Sequence, residues 1–181
     1  MTEEFRPSTR EYNLGASAGG RSVGFGQAVK WAFQRYFQFS GRSQRAEYWW
    51  FVLFTVIGGI IASIFDGALG FGADGGPLNG VFTLATFIPG LALGWRRMHD
   101  IGRSGWWFLL PYGVIVFAVV AIATTALSGS GSGAGIVGIV LVLAALGSAI
   151  FVLVLLCTDS DPQANRFGPS PKYPSQADVF S

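Results

Sequence analysis

The chain has 181 residues, 51% of them hydrophobic and only 12% charged, with a formal net charge of +2 at pH 7. That balance excludes a soluble domain clothed in charged helix faces, and it leaves no basic footprint for nucleic acid. With one histidine and one cysteine, an internal disulfide and a nitrogen–sulfur metal cluster are excluded as well, so neither a metal nor a cofactor is expected.

Residues 1–24, with Gly, Ser, Ala and scattered charge, read as a disordered tail. They hold no apolar core of signal-peptide type, so the first membrane span is expected to act as its own anchor. From 25 to about 37, Phe25, Val29, Ala32, Phe33, Tyr36 and Phe37 fall on one helical face, with Gln27, Lys30, Gln34 and Arg35 largely opposite. The pattern predicts an amphipathic helix, either lying on the membrane surface or packed against the rest of the protein.

Four apolar stretches then follow, at about 48–65, 78–95, 106–127 and 134–157, and none contains Asp, Glu, Lys or Arg. Each reaches the ~20 residues needed to cross a ~30 Å hydrocarbon core. The predicted fold is therefore all-α: a polytopic membrane protein with four transmembrane helices arranged as two hairpins, preceded by the amphipathic interfacial helix. "SGSGSGAG", Ser128 to Gly135, reads as the turn of the second hairpin. Close-packing pairs are available in Gly58 with Ala62, Gly59 with Ser63, and Ala144 with Ser148. Pro89 and Pro111 lie inside spans, where each removes an intrahelical bond and frees a carbonyl.

The twelve basic residues all lie before the first span, between the second and third, or after the fourth. The other two connections hold Asp66 and Asp74 and no positive charge. Positive residues in short loops mark the cytoplasmic side, so both termini and the Gly94 to Trp107 connection are expected inside. Trp49, Trp50, Trp95, Trp106 and Trp107 stand at the same ends of the spans, as headgroup-level anchors do. The tail from 158 to 181, rich in Pro, Ser and Asp, reads as extended or loosely folded on the cytoplasmic side.

"GRSQRAEYWWF" (Gly41 to Phe51) opens span one and "GRSGWWF" (Gly102 to Phe108) opens span three. In each, the serine is placed to cap the first helical turn and the arginine to reach phosphate. If the second helix continues past Trp95, Arg96, Asp100 and Arg103 share a face with His99 beside them, while Arg97 points elsewhere, toward lipid phosphate. Glu47 suits the positive end of span one or pairs with Arg42 or Arg45. His99 alone, with one carboxylate and no nucleophile, reads first as a structural hydrogen-bonding residue. Cys157 reads as a small apolar residue at a helix end.

"FSGRSQRAEYWWF" (Phe39 to Phe51), "RRMHDIGRSGWWFLLP" (Arg96 to Pro111) and "NRFGPSP" (Asn165 to Pro171) resemble the three signature blocks of the DUF805 family of small bacterial inner-membrane proteins. The resemblance covers roughly residues 25–171 and implies a bacterial inner membrane. It implies no catalytic residue, because the family has no established activity. Met98 stands where leucine is more usual.

Together the blocks offer one candidate polar cap, made of Arg42, Arg45, Glu47, Arg96, Arg97, His99, Asp100, Arg103, Asn165 and Arg166. The leading functional reading is a non-enzymatic module whose cap binds anionic phospholipid or a membrane or cytoplasmic protein partner. A homo-oligomer is compatible with it. Two other classes stand beside it. One is a small-solute transporter or channel using Asp66, Thr55, Thr83, Thr86 and the proline breaks. The other is an enzyme acting on a phosphorylated lipid headgroup, with Arg96, Arg97 and Arg103 holding phosphate and His99 with Asp100 moving protons.

Overall fold

A computed structural model describes residues 22–71, 76–127 and 133–173. Most of the expected N-terminal tail and the first five residues of the Ser128 to Gly135 turn lie outside these. Five helices occur in order: α1 (Phe25–Gln34), α2 (Arg45–Ala68), α3 (Pro77–Asp100), α4 (Trp106–Leu127) and α5 (Gly133–Cys157). The last four are each long and apolar enough to cross a membrane. Their side chains face outward over most of their length, Ile64, Leu84 and Phe117 among them, because lipid tails solvate such groups as well as a protein core does.

The helices pair as two hairpins, α2 with α3 and α4 with α5. In the first, the ring of Phe82 lies where a Cβ on Gly58 would sit, so only glycine permits this approach. Gly59, the other candidate on that helix, faces open space. At the far end of α2, buried Asp66 accepts from the backbone N–H groups of Leu78 (3.1 Å) and Asn79 (2.8 Å). It thus satisfies two of the donors that every helix start leaves open. Gly76 is required beside it, since a Cβ there would fall 2.3 Å from the Asp66 carboxyl carbon.

The hairpins meet at the opposite end, hereafter the cap end. There Met98, Phe108, Val152, Leu155 and Leu156 form a buried cluster, with Tyr48 and Trp49 packed against it. Gly94 admits the Phe108 ring at its own Cβ position.

Helix α1 takes the packed alternative. Ala28 and Ala32 are buried, Phe25 meets Trp50 and Phe54, and Phe33 meets Phe51 and Phe54. Just after it, the Tyr36 hydroxyl donates to the Ala85 carbonyl at 3.1 Å. Ala85 is four residues before Pro89, so its carbonyl is the one that proline deprives of an intrahelical partner. The tyrosine supplies the missing donor.

The second helix does continue past Trp95: α3 runs on to Asp100 and only then stops, so the charged connection is helix for its first half. Gly102 N–H donates to His99 O, Arg103 N–H donates to Met98 O, and Gly102 takes φ 72°, which is a Schellman end that favours glycine. Residues 158–173, expected to be extended or loosely folded, turn back under the bundle. Asn165 and Gly168 exchange backbone hydrogen bonds across a tight turn, and the Asn165 side chain accepts from Phe167 N–H.

Candidate functional site

The cap is built where the end of α3 meets the turn before α2 and the strap 158–173. Asp100, the last residue of α3, is fully buried. Its Oδ1 accepts from Arg42 Nε at 3.0 Å, while Oδ2 accepts from Arg97 Nη1 at 2.6 Å and from Ser160 Oγ at 2.5 Å. Burying one carboxylate is costly unless it is paired and hydrogen-bonded, and here both oxygens are engaged.

Arg42 is used to its full valence. Besides Asp100 Oδ1 it donates through Nη1 to the carbonyls of Gln163 (2.8 Å) and Gly168 (3.2 Å), and through Nη2 to those of Asp161 (2.6 Å) and Asp100 (3.0 Å). A guanidinium has five N–H donors, and all five end on protein acceptors. Block one therefore clamps block three onto the end of block two.

Arg97 does not point toward lipid phosphate. Its side chain is fully buried, and beyond Asp100 it donates to the carbonyls of Leu156 and Thr158. Arg45, which is exposed, donates to Cys157 O at 3.2 Å. The last carbonyls of a helix have no partner within it and carry its negative dipole end, so Arg97 and Arg45 cap the C-terminus of α5. Arg96 does the same for the chain leaving α1, donating to Arg35 O (3.2 Å) and Gln38 O (2.6 Å).

Of the three residues expected on one face, Arg96 and Asp100 are four apart on α3 but bond different partners, and Arg103 lies beyond the helix end. Arg96 Nε donates to Ser43 Oγ at 3.0 Å, and its own carbonyl accepts from Ser43 N–H. Arg103 is exposed and lies over the Trp107 ring, 5.5 Å from its centroid. Ser43 does not cap α2 either. Gln44 holds the N-cap position without a side-chain hydrogen bond, and the Ser43 hydroxyl is taken by Arg96. Glu47 is buried but makes no ion pair with Arg42 or Arg45: the ion pairs among the described residues are Arg42–Asp100, Arg97–Asp100 and Lys172–Asp159.

His99 lies against the strap. Its Nδ1 is 3.1 Å from Gly41 O, and a carbonyl only accepts, so this nitrogen carries the proton. Phe167 stacks on the imidazole at 3.8 Å with planes 3° apart, and Asn165 Nδ2 donates to His99 O at 2.9 Å. Arg166 is exposed, its guanidinium 4.6 Å from the Phe167 ring centroid. Farther along, Lys172 Nζ bonds both oxygens of Asp159, at 2.8 and 2.6 Å, and Gln44 Nε2 donates to Pro171 O. The Lys172 ammonium holds the Asp159 carboxyl below the usual carboxylate range, and Asp159 in turn raises Lys172.

Arg42, Arg97, Asp100, His99 and Asn165 are thus joined in one network, with Arg96 and Glu47 beside it and Arg45, Arg103 and Arg166 at its edge. Sequence reasoning gave Ser43 a capping role and passed over Phe167 and Ser160. Phe167 sits inside a quoted block, as the aromatic of "NRFGPSP"; Ser160 carried no signal. Among the described residues no group of His, Cys, Asp and Glu is placed to hold a metal ion.

The family profile "Protein of unknown function (DUF805)" matches residues 36–169, a stretch that contains Arg42, Asp100 and the strap residues bonded to them. Inner membrane protein YhaI of Escherichia coli K12 is 34% identical over 142 residues, covering 78% of this chain and 92% of its own. Inner membrane protein YhaH of the same strain is 30% identical over 144 residues, covering 77% and 91%. No solved structure matches the chain. With four membrane-spanning helices and a profile match across most of its length, the chain belongs to the DUF805 family.

Proposed function

We propose that this protein is a non-enzymatic module of the bacterial inner membrane whose cap, on the cytoplasmic side, binds anionic phospholipid. The observation that carries this reading is a division of labour among the arginines. Arg42, Arg96 and Arg97 are buried and spent on Asp100, Ser43 and backbone carbonyls. Arg45, Arg103 and Arg166 stay exposed at the same end, beside Trp106 and Trp107, which are also exposed. Cations near an anionic leaflet contribute about 1 kcal/mol each, and indole rings favour headgroup depth. The inner-membrane names of the E. coli relatives and the positive-inside bias support the location and orientation.

The other two classes have less support. The Asp100 carboxylate has no oxygen open to a substrate, and the transporter's acidic candidate, Asp66, is occupied with the start of α3.

The test is lipid retention. Protein extracted gently from membranes is expected to carry phosphatidylglycerol or cardiolipin, quantified by mass spectrometry. With Arg45, Arg103 and Arg166 all changed to glutamine, three contributions of ~1 kcal/mol are lost and retention should fall more than tenfold. Unchanged retention would sink the proposal.

A further inference from the structure

Among the described residues, two buried side-chain atoms lack a hydrogen-bond partner, Glu47 Oε2 and Arg96 Nη2. Their residues are 3% and 1% exposed, so bulk solvent does not satisfy either. An orphaned buried polar atom costs about 1–3 kcal/mol, more when charged, and one such atom in a cap otherwise so fully bonded would call for explanation. Two of them belong to residues that meet at Ser43. Ser43 Oγ accepts from Arg96 Nε at 3.0 Å and Ser43 N–H donates to Arg96 O, while Glu47 stands four residues on, in the first turn of α2, where the Arg96 charge acts on it. The carboxylate and the guanidinium are nevertheless not in direct contact, because no ion pair joins them within 4.0 Å.

The Glu47 oxygen, in the ionised carboxylate, accepts only, and the Arg96 nitrogen donates only. We infer that the two share a buried water molecule, which donates to Glu47 Oε2 and accepts from Arg96 Nη2. Charge selects against other small species. A cation is repelled by Arg96 and by Arg35, whose charge also acts on Glu47; an anion would leave Glu47 without a donor. A neutral molecule with donor and acceptor on one atom fits both ends, and buried waters typically make two to four such bonds. The site lies at the joint of three elements, since Arg96 Nη1 holds the chain after α1, Glu47 stands in the first turn of α2, and Arg96 itself stands four residues before the end of α3. The water thereby completes the joint through which α1 is fastened to the first hairpin, independently of what the exposed arginines bind.

Diffraction from the full chain crystallised in a lipid mesophase tests this. The expected result is an isolated peak at about 2.6–3.2 Å from both atoms. A direct Glu47–Arg96 contact, an empty difference map between them, or density continuous with a lipid headgroup would each overturn it. A second reading comes from solid-state NMR of proteoliposomes carrying 15N-arginine. Magnetisation from water should reach the Arg96 Nη signal, assigned by its loss in Arg96→Lys, and should stay at background for Arg42, whose five donors all end on protein. Equal transfer to both, or none to Arg96, contradicts the inference.

Discussion

Arg42 and Asp100 are 58 positions apart in sequence and 3.0 Å apart in space, and neither side chain has more than 1% of its surface exposed. The pair sits at the point where the chain before α2, the end of α3 and the strap meet, and each partner also bonds the strap directly. Arg42 reaches the carbonyls of Asp161, Gln163 and Gly168, while Asp100 takes Ser160 Oγ on its carboxylate and Asp161 N–H on its carbonyl. Its energetic weight lies in what happens when half of it is removed.

Asp100→Leu would leave Arg42 and Arg97 buried without a counter-charge. Breaking a buried pair in this way costs about 3–5 kcal/mol, and detergent-solubilised protein should show a correspondingly lower unfolding midpoint. Arg45→Ala removes an exposed arginine with one carbonyl bond, so it should stay within about 1 kcal/mol of the parent. Equal effects of the two changes would mean that the buried network does not hold the cap together.

The strap depends on two neighbouring residues for different reasons. Phe167→Ala removes the ring stacked on His99, worth about 0.5–1.5 kcal/mol beyond its burial. Gly168→Ala places a side chain at φ 127°, a strain of about 1–3 kcal/mol. Both should raise hydrogen exchange across 158–173 while the spans keep their protection. Faster exchange in α2 and α3 as well would show that strap and bundle open as one unit.

The far end of the strap should respond to pH through Asp159 and Lys172. Asp159 is depressed in the folded state, so its stabilising contribution is present above the unfolded value of about 3.9 and is lost as pH falls through the lower folded value. Lys172 is raised, so its contribution is complete below about 10.4 and disappears as pH climbs through the higher folded value. Exchange at 170–173 should therefore be slowest between about pH 4 and pH 10 once corrected for intrinsic rate, and Lys172→Ala should abolish that window. Asp159 is exposed and Lys172 only partly buried, so global stability should barely move.

The spans were legible because a membrane leaves a coarse mark: four charge-free stretches ended by arginine and tryptophan. The ends of α3 were less so. Arg97 looked free for lipid because no acidic residue but Asp100 stands near it in sequence, yet most of its partners are backbone carbonyls of α5, and a carbonyl has no sequence signature. The strap looked loose for the same reason. Its composition is that of a tail, and a buried guanidinium 119 to 126 positions away gives three of its carbonyls a use. Asp66 looked like a lone membrane acid because the start of α3, whose N–H groups it caps, cannot be aligned with it until the hairpin is folded.

Tyr36 and Pro89 make a coupled pair that separates cause from coincidence. Tyr36→Phe removes the hydroxyl that donates to the Ala85 carbonyl and should destabilise by about 1 kcal/mol. Pro89→Ala restores a backbone N–H in register with that carbonyl, so in its presence the tyrosine hydroxyl becomes redundant. The double variant should then unfold at the same point as Pro89→Ala alone, giving a coupling close to the whole single-mutant effect in a double-mutant cycle. Additive losses would mean that the hydroxyl acts elsewhere. Because Tyr36 lies within the segment that Arg96 holds, between Arg35 and Gln38, the Phe variant should also loosen α1, seen as faster exchange at 25–34 with α4 and α5 unchanged.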